Sequence, residues 1–304
     1  MILPTGCSPI PQSAILKKIL HALSPILCYK KESNPEMTSP PRSPTCRRLI
    51  VTGDDFGLNS EVNEAVEALH EAGVLSQASL MVNERGVDEA LRIARRHPRL
   101  CVGLHLSLCL GKARVPSKIT NPHGDLPPSP ARAGLLYAFR RRLRRDLEAE
   151  IAAQFEAFAA LGLPAIYWDG HTHLHLHPTV FDLSLPYAQK YGFRVTRLVK
   201  EPGFAPLSLI FRGLSHAASR KLAKLHGRGV DRVFGLQQTG RITTPLFQQL
   251  LERVPEKGWT EIYLHPGAEP APLDTAAIRC AMEQRGIVLG TAADLLESLV
   301  PAAA

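Results

Sequence analysis

The chain has 304 residues, of which 45% are hydrophobic and 21% charged, and its mean hydropathy is −0.04. This composition is typical of a globular protein with a full core, and it excludes collagen-like, low-complexity and multispan membrane proteins. The formal net charge of +8 does not favour nucleic-acid binding, because residues 1–48 alone hold seven basic and two acidic residues.

Six cysteines form no CxxC pair, so the sequence predicts neither a disulfide framework nor a thiolate zinc site. Reduced thiols in a chain of this size fit the cytoplasm, which is the predicted compartment. Residues 1–47, rich in proline, serine and basic side chains, are predicted to be a disordered basic extension. Met37 offers a second translation start, so Met1 and Met37 both remain open. A single folded domain is predicted over residues 48–300.

The predicted elements begin at Arg48, where residues 49–51 form a buried strand and residues 53–57 the turn that ends it. A helix follows with Ser60 as its N-cap and Gly73 at its left-handed end. Further strands are predicted at residues 78–82, 100–106, 165–168, 194–198, 261–264 and 287–290. Further helices are predicted at residues 88–96, 143–161, 179–191, 246–254, 274–285 and 292–299.

Repeated β-then-α units predict a parallel sheet. The chain lacks GxGxxG after its first strand and GxxxxGK[ST] anywhere, so nucleotide binding loses its usual support. Asp and His stand at the strand ends instead, which favours a barrel, because catalytic residues converge at the carboxyl ends of barrel strands. The predicted fold class is α/β, a distorted or incomplete TIM-barrel-like (β/α) barrel. Two irregular stretches, residues 111–138 and 201–243, are predicted to be insertions that fold over the barrel mouth as lids or form partner surfaces.

Asp54 and Asp55 directly follow the first strand, where a buried carboxylate is costly unless it binds a metal or accepts hydrogen bonds. Neighbours on a strand point to opposite faces, so a shared site requires a bend, which Phe56 and Gly57 permit. A solvated turn with a capping aspartate is the alternative. His105 lies on the strand face opposite Leu104 and its apolar alternates, and is therefore predicted to point into the barrel.

Four histidines occupy alternate positions after the strand that ends near Trp168: His171, His173, His175 and His177. This spacing puts several imidazoles on one side of an extended chain, as a metal site requires, although hydrogen-bonded loop histidines would also account for it. Since one ion cannot take all four, a site with one carboxylate and two histidines would combine Asp55, His105 and one member of the cluster. His265 closes another strand and joins the same set.

Two stretches, residues 135–148 and 207–227, mix apolar and basic side chains. Basic amphipathic helices of this kind bind anionic membrane surfaces, although a solvated helix face is the more common reason for such a pattern.

Four motifs occur together: DDFG at 54–57, GLHL at 103–106, DGHTHLH at 169–175 and HPG at 265–267. With them the chain resembles the YdjC-like carbohydrate deacetylases, the ChbG/HpnK group, over about residues 48–299. The resemblance implies an incomplete or distorted (β/α) barrel with one divalent metal ion, Mg or Zn. By motif position it implies Asp55, His105 and His171 as metal ligands. Asp54 is similar to the catalytic base, His265 to the catalytic acid, and Arg197 to a residue that orients or neutralises the site.

The resemblance implies a metal-dependent hydrolase that removes the N-acetyl group from an N-acetylglucosamine unit. General similarity and the basic stretches favour the hopanoid-biosynthesis branch, HpnK, whose glycolipid substrate implies peripheral contact with the inner membrane face. A chitooligosaccharide deacetylase, another metal-dependent hydrolase and a non-catalytic lipid-binding protein are the alternatives. The identity of the metal, the oligomeric state and the roles of His173, His175 and His177 remain open.

Overall fold

The computed structural model describes residues 46–298. Its strands are β1 (Arg47–Phe56), β2 (Gln77–Leu80), β3 (Cys101–Leu106), β4 (Tyr167–Gly170), β5 (Val195–Thr196), β6 (Arg232–Phe234), β7 (Trp259–Leu264) and β8 (Ile287–Leu289). Its helices are α1 (Ser60–Glu71), α2 (Val87–Arg96), α3 (Pro130–Phe139), α4 (Arg144–Ala160), α5 (Pro178–Tyr191), α6 (Pro206–Ala223), α7 (Thr244–Glu252), α8 (Thr275–Gln284) and α9 (Ala292–Glu297). Short 3₁₀ helices lie at Arg141–Leu143 and His171–Leu176.

The sheet is parallel throughout and curls into a distorted barrel. Its strand order is β5-β4-β3-β2-β1-β7-β6, and β8 pairs with the first residues of β1. The edge strand β5 forms a parallel bridge from Val195 to Arg228, in the segment that precedes β6. The predicted incomplete (β/α) barrel is confirmed, and the closure defect lies between β5 and β6.

The barrel interior changes from apolar to polar along its axis. Near the amino ends of the strands it is filled by an apolar cluster that includes Ile50, Val195, Val233 and Trp259. Towards the carboxyl ends the buried inward side chains are polar or charged: Thr52, Asp54, Gln77, Ser79, His105, Asp169, Arg197 and Glu261. The outward residues of the same strands join the larger core beneath the helices. Charged side chains inside a barrel are costly unless they are paired or bind a metal. The carboxyl end of the interior is therefore where such pairs or a metal site are expected.

Gly103 makes room for one of these interior side chains. A Cβ atom built at Gly103 would lie 2.2 Å from the Tyr167 ring and 2.4 Å from its carbonyl oxygen. Because β3 and β4 are neighbours, glycine at this position lets the Tyr167 ring fill the barrel.

Several element boundaries differ from the sequence-based expectation. The first strand extends through Asp54 and Asp55 to Phe56, so the two acids lie at the strand end and not in a turn after it. Asn59, not Ser60, caps α1, because its side chain accepts a hydrogen bond from the Val62 amide. Gly73 has φ +71° and follows the end of α1, as predicted.

The two irregular stretches contain regular elements, and the basic amphipathic helix expected at residues 207–227 corresponds to α6. The first includes most of α3, and the second includes α6 and β6. The basic stretch predicted as one helix over residues 135–148 is instead broken at Arg140, where α3 ends and a 3₁₀ turn leads into α4. Pro130 and Pro206 stand in the first turns of α3 and α6. Proline is favoured there because its missing N–H has no helical partner to lose.

The described residues cover most of the predicted folded domain and almost none of the predicted extension. The predicted disordered extension over residues 1–47 lies outside the described residues except for residues 46 and 47, as does residue 299 of the closing helix. Within residues 46–298, no helix is both long and apolar enough to cross a membrane.

Candidate metal centre and active site

The side chains of Asp54 and Asp55 contact different groups because the backbone of β1 bends at Asp55. Asp55 has φ +62°, and the register of β1 against β2 shifts between Gly53 and Phe56. Left-handed φ is uncommon outside glycine, although aspartate tolerates it better than most residues. Asp54 keeps the inward direction of its strand, while the bulge turns Asp55 towards β3 and β4. The bend predicted at Phe56 and Gly57 therefore occurs one residue earlier.

Asp55, His105 and His171 come together as predicted. The Asp55 Oδ1 atom lies 3.3 Å from His105 Nε2 and accepts a 2.9 Å hydrogen bond from His171 Nδ1. One ligand atom from each residue lies within 4.8 Å of the other two. The two histidine rings pack edge to face, 5.7 Å between centroids.

This donor set fits a divalent cation. His105 donates its Nδ1 proton to Asp169 Oδ1 at 2.6 Å, and its Nε2 atom is buried with no hydrogen-bond partner among the described residues. A histidine that ligates a metal commonly donates its other ring N–H to a carboxylate in this way. One carboxylate and two imidazoles suit zinc, manganese or iron, and magnesium less readily.

The pKa shifts of His105 and Asp55 also indicate that positive charge is favoured between them. Burial by itself lowers the pKa of His105, but the charge and hydrogen bond of Asp169 and the nearby Asp55 carboxylate outweigh burial and raise the pKa to about 10. Burial would raise the pKa of Asp55, yet hydrogen bonds and charges from His105 and His171 hold it well below its usual range. A bound cation would supply at this point the positive charge that a proton supplies on His105.

Two other groupings of metal-ligand side chains occur within residues 46–298. Asp54, His105 and Asp169 are already joined to Arg197 or to each other. Glu67, Glu71 and His97 form an ion-pair cluster on the outer surface, where Arg96 contacts Glu67 at 2.7 Å.

Arg197 is the hub of a buried charge network. Its Nη1 and Nη2 atoms donate to both oxygens of Asp54 at 2.7 and 2.8 Å. Nη1 also lies 2.9 Å from Asp169 Oδ2, and Nε and Nη2 donate to Glu261 Oε1 at 3.0 and 2.9 Å. The guanidinium stacks 4.4 Å from the centre of the Tyr263 ring. Three carboxylates raise the pKa of Arg197 well above its ordinary value despite its burial.

His265 leaves the end of β7 beside the end of β1. The register pairs Gly53 with Leu264, so Asp54 and His265 are the next residues on neighbouring strands. The ring of His265 lies 6.0 Å from that of Tyr263, and its Nδ1 atom is buried without a hydrogen-bond partner within the described chain. The backbone N–H is fixed by Glu269 Oε1 at 3.0 Å. His265 thus stands at the same edge of the sheet as the predicted ligands.

The histidine cluster does not adopt the extended form that its spacing suggested. Residues 171–176 form a 3₁₀ turn in which Thr172 and His173 have left-handed φ values of 56° and 59°, so the rings diverge. His173 Nε2 shares a 2.7 Å hydrogen bond with the Tyr263 hydroxyl, and His175 Nε2 donates to the Arg197 carbonyl at 2.9 Å. His177 lies against Gly134 of α3. Of the four, only His171 reaches Asp55.

A family comparison agrees with this geometry. Residues 48–293 match the family described as YdjC-like protein. The chain belongs to the YdjC-like family. A carbohydrate deacetylase of Geobacillus stearothermophilus is 30% identical over 236 residues, which cover 77% of this chain and 85% of that protein. A chitooligosaccharide deacetylase of Serratia marcescens is 30% identical over 271 residues, covering 81% and 98%.

A solved structure supports the same fold. A putative cellobiose-phosphate cleavage protein of Enterococcus faecalis superposes with a TM-score of 0.62 at 21% identity, covering 82% of this chain and 99% of that one. This likeness is evidence for the distorted barrel of the YdjC-like chain.

Three buried residues of the YdjC-like site were not assigned a role from the sequence: Asp169, Glu261 and Tyr263. Each lies on the inward face of its strand, and the signal that could have found them is alternation. Trp259, Glu261 and Tyr263 occupy one face of β7, with Thr260, Ile262 and Leu264 on the other. A charged side chain at an alternate position of a fully buried strand indicates a polar partner inside the barrel.

Proposed function

We propose that this chain is a metal-dependent N-deacetylase that hydrolyses the acetamide of an N-acetylglucosamine unit. The observation that carries the proposal is that the consecutive acids Asp54 and Asp55 have different partners. Asp55 faces two histidines in a set that fits a divalent ion, while Asp54 is held by Arg197 at the same strand end. The names of the related deacetylases support the same chemistry.

Asp55, His105 and His171 would hold the ion, which supplies, when bound, polarisation of the acetyl carbonyl and a more acidic water. Asp54 acts as general base and takes a proton from the water whose oxygen attacks the carbonyl carbon. Both Asp54 oxygens accept from Arg197, but a carboxylate has about four acceptor positions, so it can still accept the proton. Arg197 fixes the direction of that carboxylate.

His265 acts as general acid and protonates the leaving amine of the sugar. It donates a proton to the amide nitrogen as the C–N bond breaks, so that the sugar leaves as an amine and the acetyl group as acetate. Base and acid on neighbouring strands β1 and β7 can reach opposite sides of one acetamide, which general acid–base catalysis of this hydrolysis requires.

Within this reaction class we infer a glycolipid, as in the hopanoid-biosynthesis branch, HpnK, over a free sugar chain. Exposed apolar side chains on the helices beside the site, Leu135, Phe139, Leu207 and Ile210, support a substrate with a lipid part. A chitooligosaccharide is the second candidate, because a relative that spans most of this chain is named for that activity. A cytoplasmic location at the inner membrane face stays a prediction.

Acetate release by the purified chain tests the proposal, with an N-acetylglucosaminyl lipid and a chitooligosaccharide compared side by side under added zinc or magnesium. Release from the lipid alone is the expected result. Release from the oligosaccharide alone would keep the chemistry and replace the substrate. No release from either, with metal demonstrably bound, would refute the deacetylase assignment.

A further inference from the structure

Two segments of the chain carry basic residues without a single acid. The first basic segment, residues 126–145, has six arginines and no aspartate or glutamate. The second basic segment, residues 202–230, has five lysines and arginines and again no acid. The arginines of the first segment are exposed: Arg132, Arg140, Arg141, Arg142, Arg144 and Arg145. None of these six forms an ion pair within residues 46–298.

Large apolar side chains are exposed in the same two segments. On α3, Leu135 is 63% exposed and Phe139, one helical turn later, is 78% exposed. In the second segment Phe204 is 91% exposed, and Leu207 and Ile210, three residues apart on α6, are 50% and 59% exposed. Residues three or four apart lie on one helix face. Six of the eight large exposed hydrophobic residues within the described chain belong to these two segments.

Both segments lie on the face of the barrel that carries the candidate site. The first follows the carboxyl end of β3, and the second follows that of β5. In α3, Tyr137 donates a hydrogen bond to the Leu108 carbonyl at 2.7 Å. In α6, Phe211 packs edge to face against His173 at 5.5 Å. Both helices also contact α5 and the His171–Leu176 turn, so they lie around the same side of the site.

We propose that the two basic segments bind the surface of an anionic lipid bilayer. Apolar side chains next to unpaired arginines are the combination that interfacial helices use, with the apolar groups in the acyl boundary and the cations among the head groups. A second copy of this chain fits poorly, because it would bring the same arginines together, and the centres of protein interfaces are depleted in charge. Nucleic acid would engage the arginines but leave Leu135 and Phe139 in water.

This inference rests on the proposed function for its purpose but not for its test. A bilayer held by the two segments would lie at the opening of the barrel, where a lipid-linked acetamide could reach the carboxyl ends of β1 and β7. Lipid binding and hydrolysis are separate measurements, so the failure of one is distinguishable from the failure of the other.

The experiment is co-sedimentation of the full chain with vesicles of phosphatidylcholine alone or of phosphatidylcholine with phosphatidylglycerol, at low and high salt. Binding is expected on the anionic vesicles and is expected to weaken with salt. Replacing Arg140, Arg141 and Arg142 together by Gln should reduce the partition coefficient on the order of 100-fold, since each cation near such a surface contributes about 1 kcal/mol. A matched triple of exposed arginines outside both segments, Arg92, Arg95 and Arg99 changed to Gln, should leave most of the binding.

The apolar part of the surface has its own variant and control. Leu135→Ser with Phe139→Ser should lower vesicle binding, whereas Val288→Ser, at a residue 54% exposed on β8, should not. All variants should keep the wild-type circular dichroism spectrum and the wild-type metal affinity, because none of these residues lies in the proposed ligand set.

Three results would overturn the lipid surface. Equal loss of binding in the two arginine triples would show a general charge effect. A wild-type dimer by light scattering that becomes monomeric in the Leu135/Phe139 variant would assign the surface to a second copy. Tighter binding to duplex or single-stranded DNA than to anionic vesicles would assign it to nucleic acid. Vesicle binding by a protein that releases no acetate would leave the surface standing and refute the deacetylase.

Discussion

Asp169→Asn tests how the two halves of the site depend on each other. Asp169 Oδ1 accepts from His105 Nδ1 at 2.6 Å, while Oδ2 accepts from the Tyr167 hydroxyl at 2.6 Å and the Ser79 hydroxyl at 3.0 Å. Oδ2 also lies 2.9 Å from Arg197 Nη1. Asparagine has the same shape but only one acceptor oxygen, so its NH₂ group must face a donor on one side.

The consequences for each orientation of that amide differ. If the NH₂ group faces Arg197, Tyr167 and Ser79, these three donors lose the Oδ2 acceptor at position 169. If it faces His105, that ring must accept at Nδ1 and carry its proton on Nε2, the atom that faces Asp55. In either case the carboxylate that orients the His105 ligand is lost, and such changes typically lower metal affinity 10–100-fold. This corresponds to about 1.4–2.7 kcal/mol.

The variant should also be less stable. Removing one partner from a buried, charged network costs about 3–5 kcal/mol, because the groups that remain are buried without full compensation. Urea denaturation followed by circular dichroism measures this loss, and chelator competition on the folded fraction measures metal affinity. Tyr167→Phe is the matched control, since it removes a donor to Oδ2 and leaves the His105 contact intact. A folded Asp169→Asn protein with native metal affinity would refute the reasoning.

Three further predictions concern single residues of the site. Asp54→Asn should abolish acetate release while metal still binds, because the variant keeps Asp55; release at the wild-type rate would contradict the base assignment. His171→Ala should lose metal by calorimetry and His177→Ala should not, since only His171 contacts Asp55; equal losses would remove His171 from the ligand set. Burial lowers the pKa of His175 from 6.5 to about 4, so the folded state keeps this ring neutral where the unfolded chain takes up a proton. Stability should therefore fall between about pH 6.5 and pH 4 by up to about 3 kcal/mol. Urea titrations of wild type and His175→Asn measure this slope, which should be flatter in the variant; equal slopes would contradict the assignment.

The sequence allowed much of the barrel and most of the predicted site to be located, and the reason is local. Alternation in β3 places Leu104 outward and His105 inward, and parallel strands bring their carboxyl ends to one edge. Asp55 and His105 could therefore be predicted to meet one histidine of the cluster, and the family resemblance selected His171. Their use as metal ligands stays a prediction, as do the catalytic roles of Asp54, His265 and Arg197.

What the sequence could not show depends on contacts between distant strands. The left-handed φ of Asp55 follows from the bulge against β2, and no local pattern announces it. The four histidines fold into a 3₁₀ turn because His173 and His175 find partners on β7 and at Arg197, which periodicity cannot anticipate. The start of α3 was missed because proline and glycine mark its surroundings as irregular.

The sharing of Arg197 by Asp54, Asp169 and Glu261 has a consequence for how this site can vary in evolution. One guanidinium satisfies three carboxylates, and burial raises the pKa of Glu261, so the charge balance belongs to the group and not to any pair. Substitutions among these four residues should be strongly non-additive. Loss of one acid changes the effect of losing the next, and loss of Arg197 removes the one cation that all three acids share. Viable divergence at this network is therefore expected to proceed by paired replacements, with Glu261 the position at which a neutral residue is tolerated first.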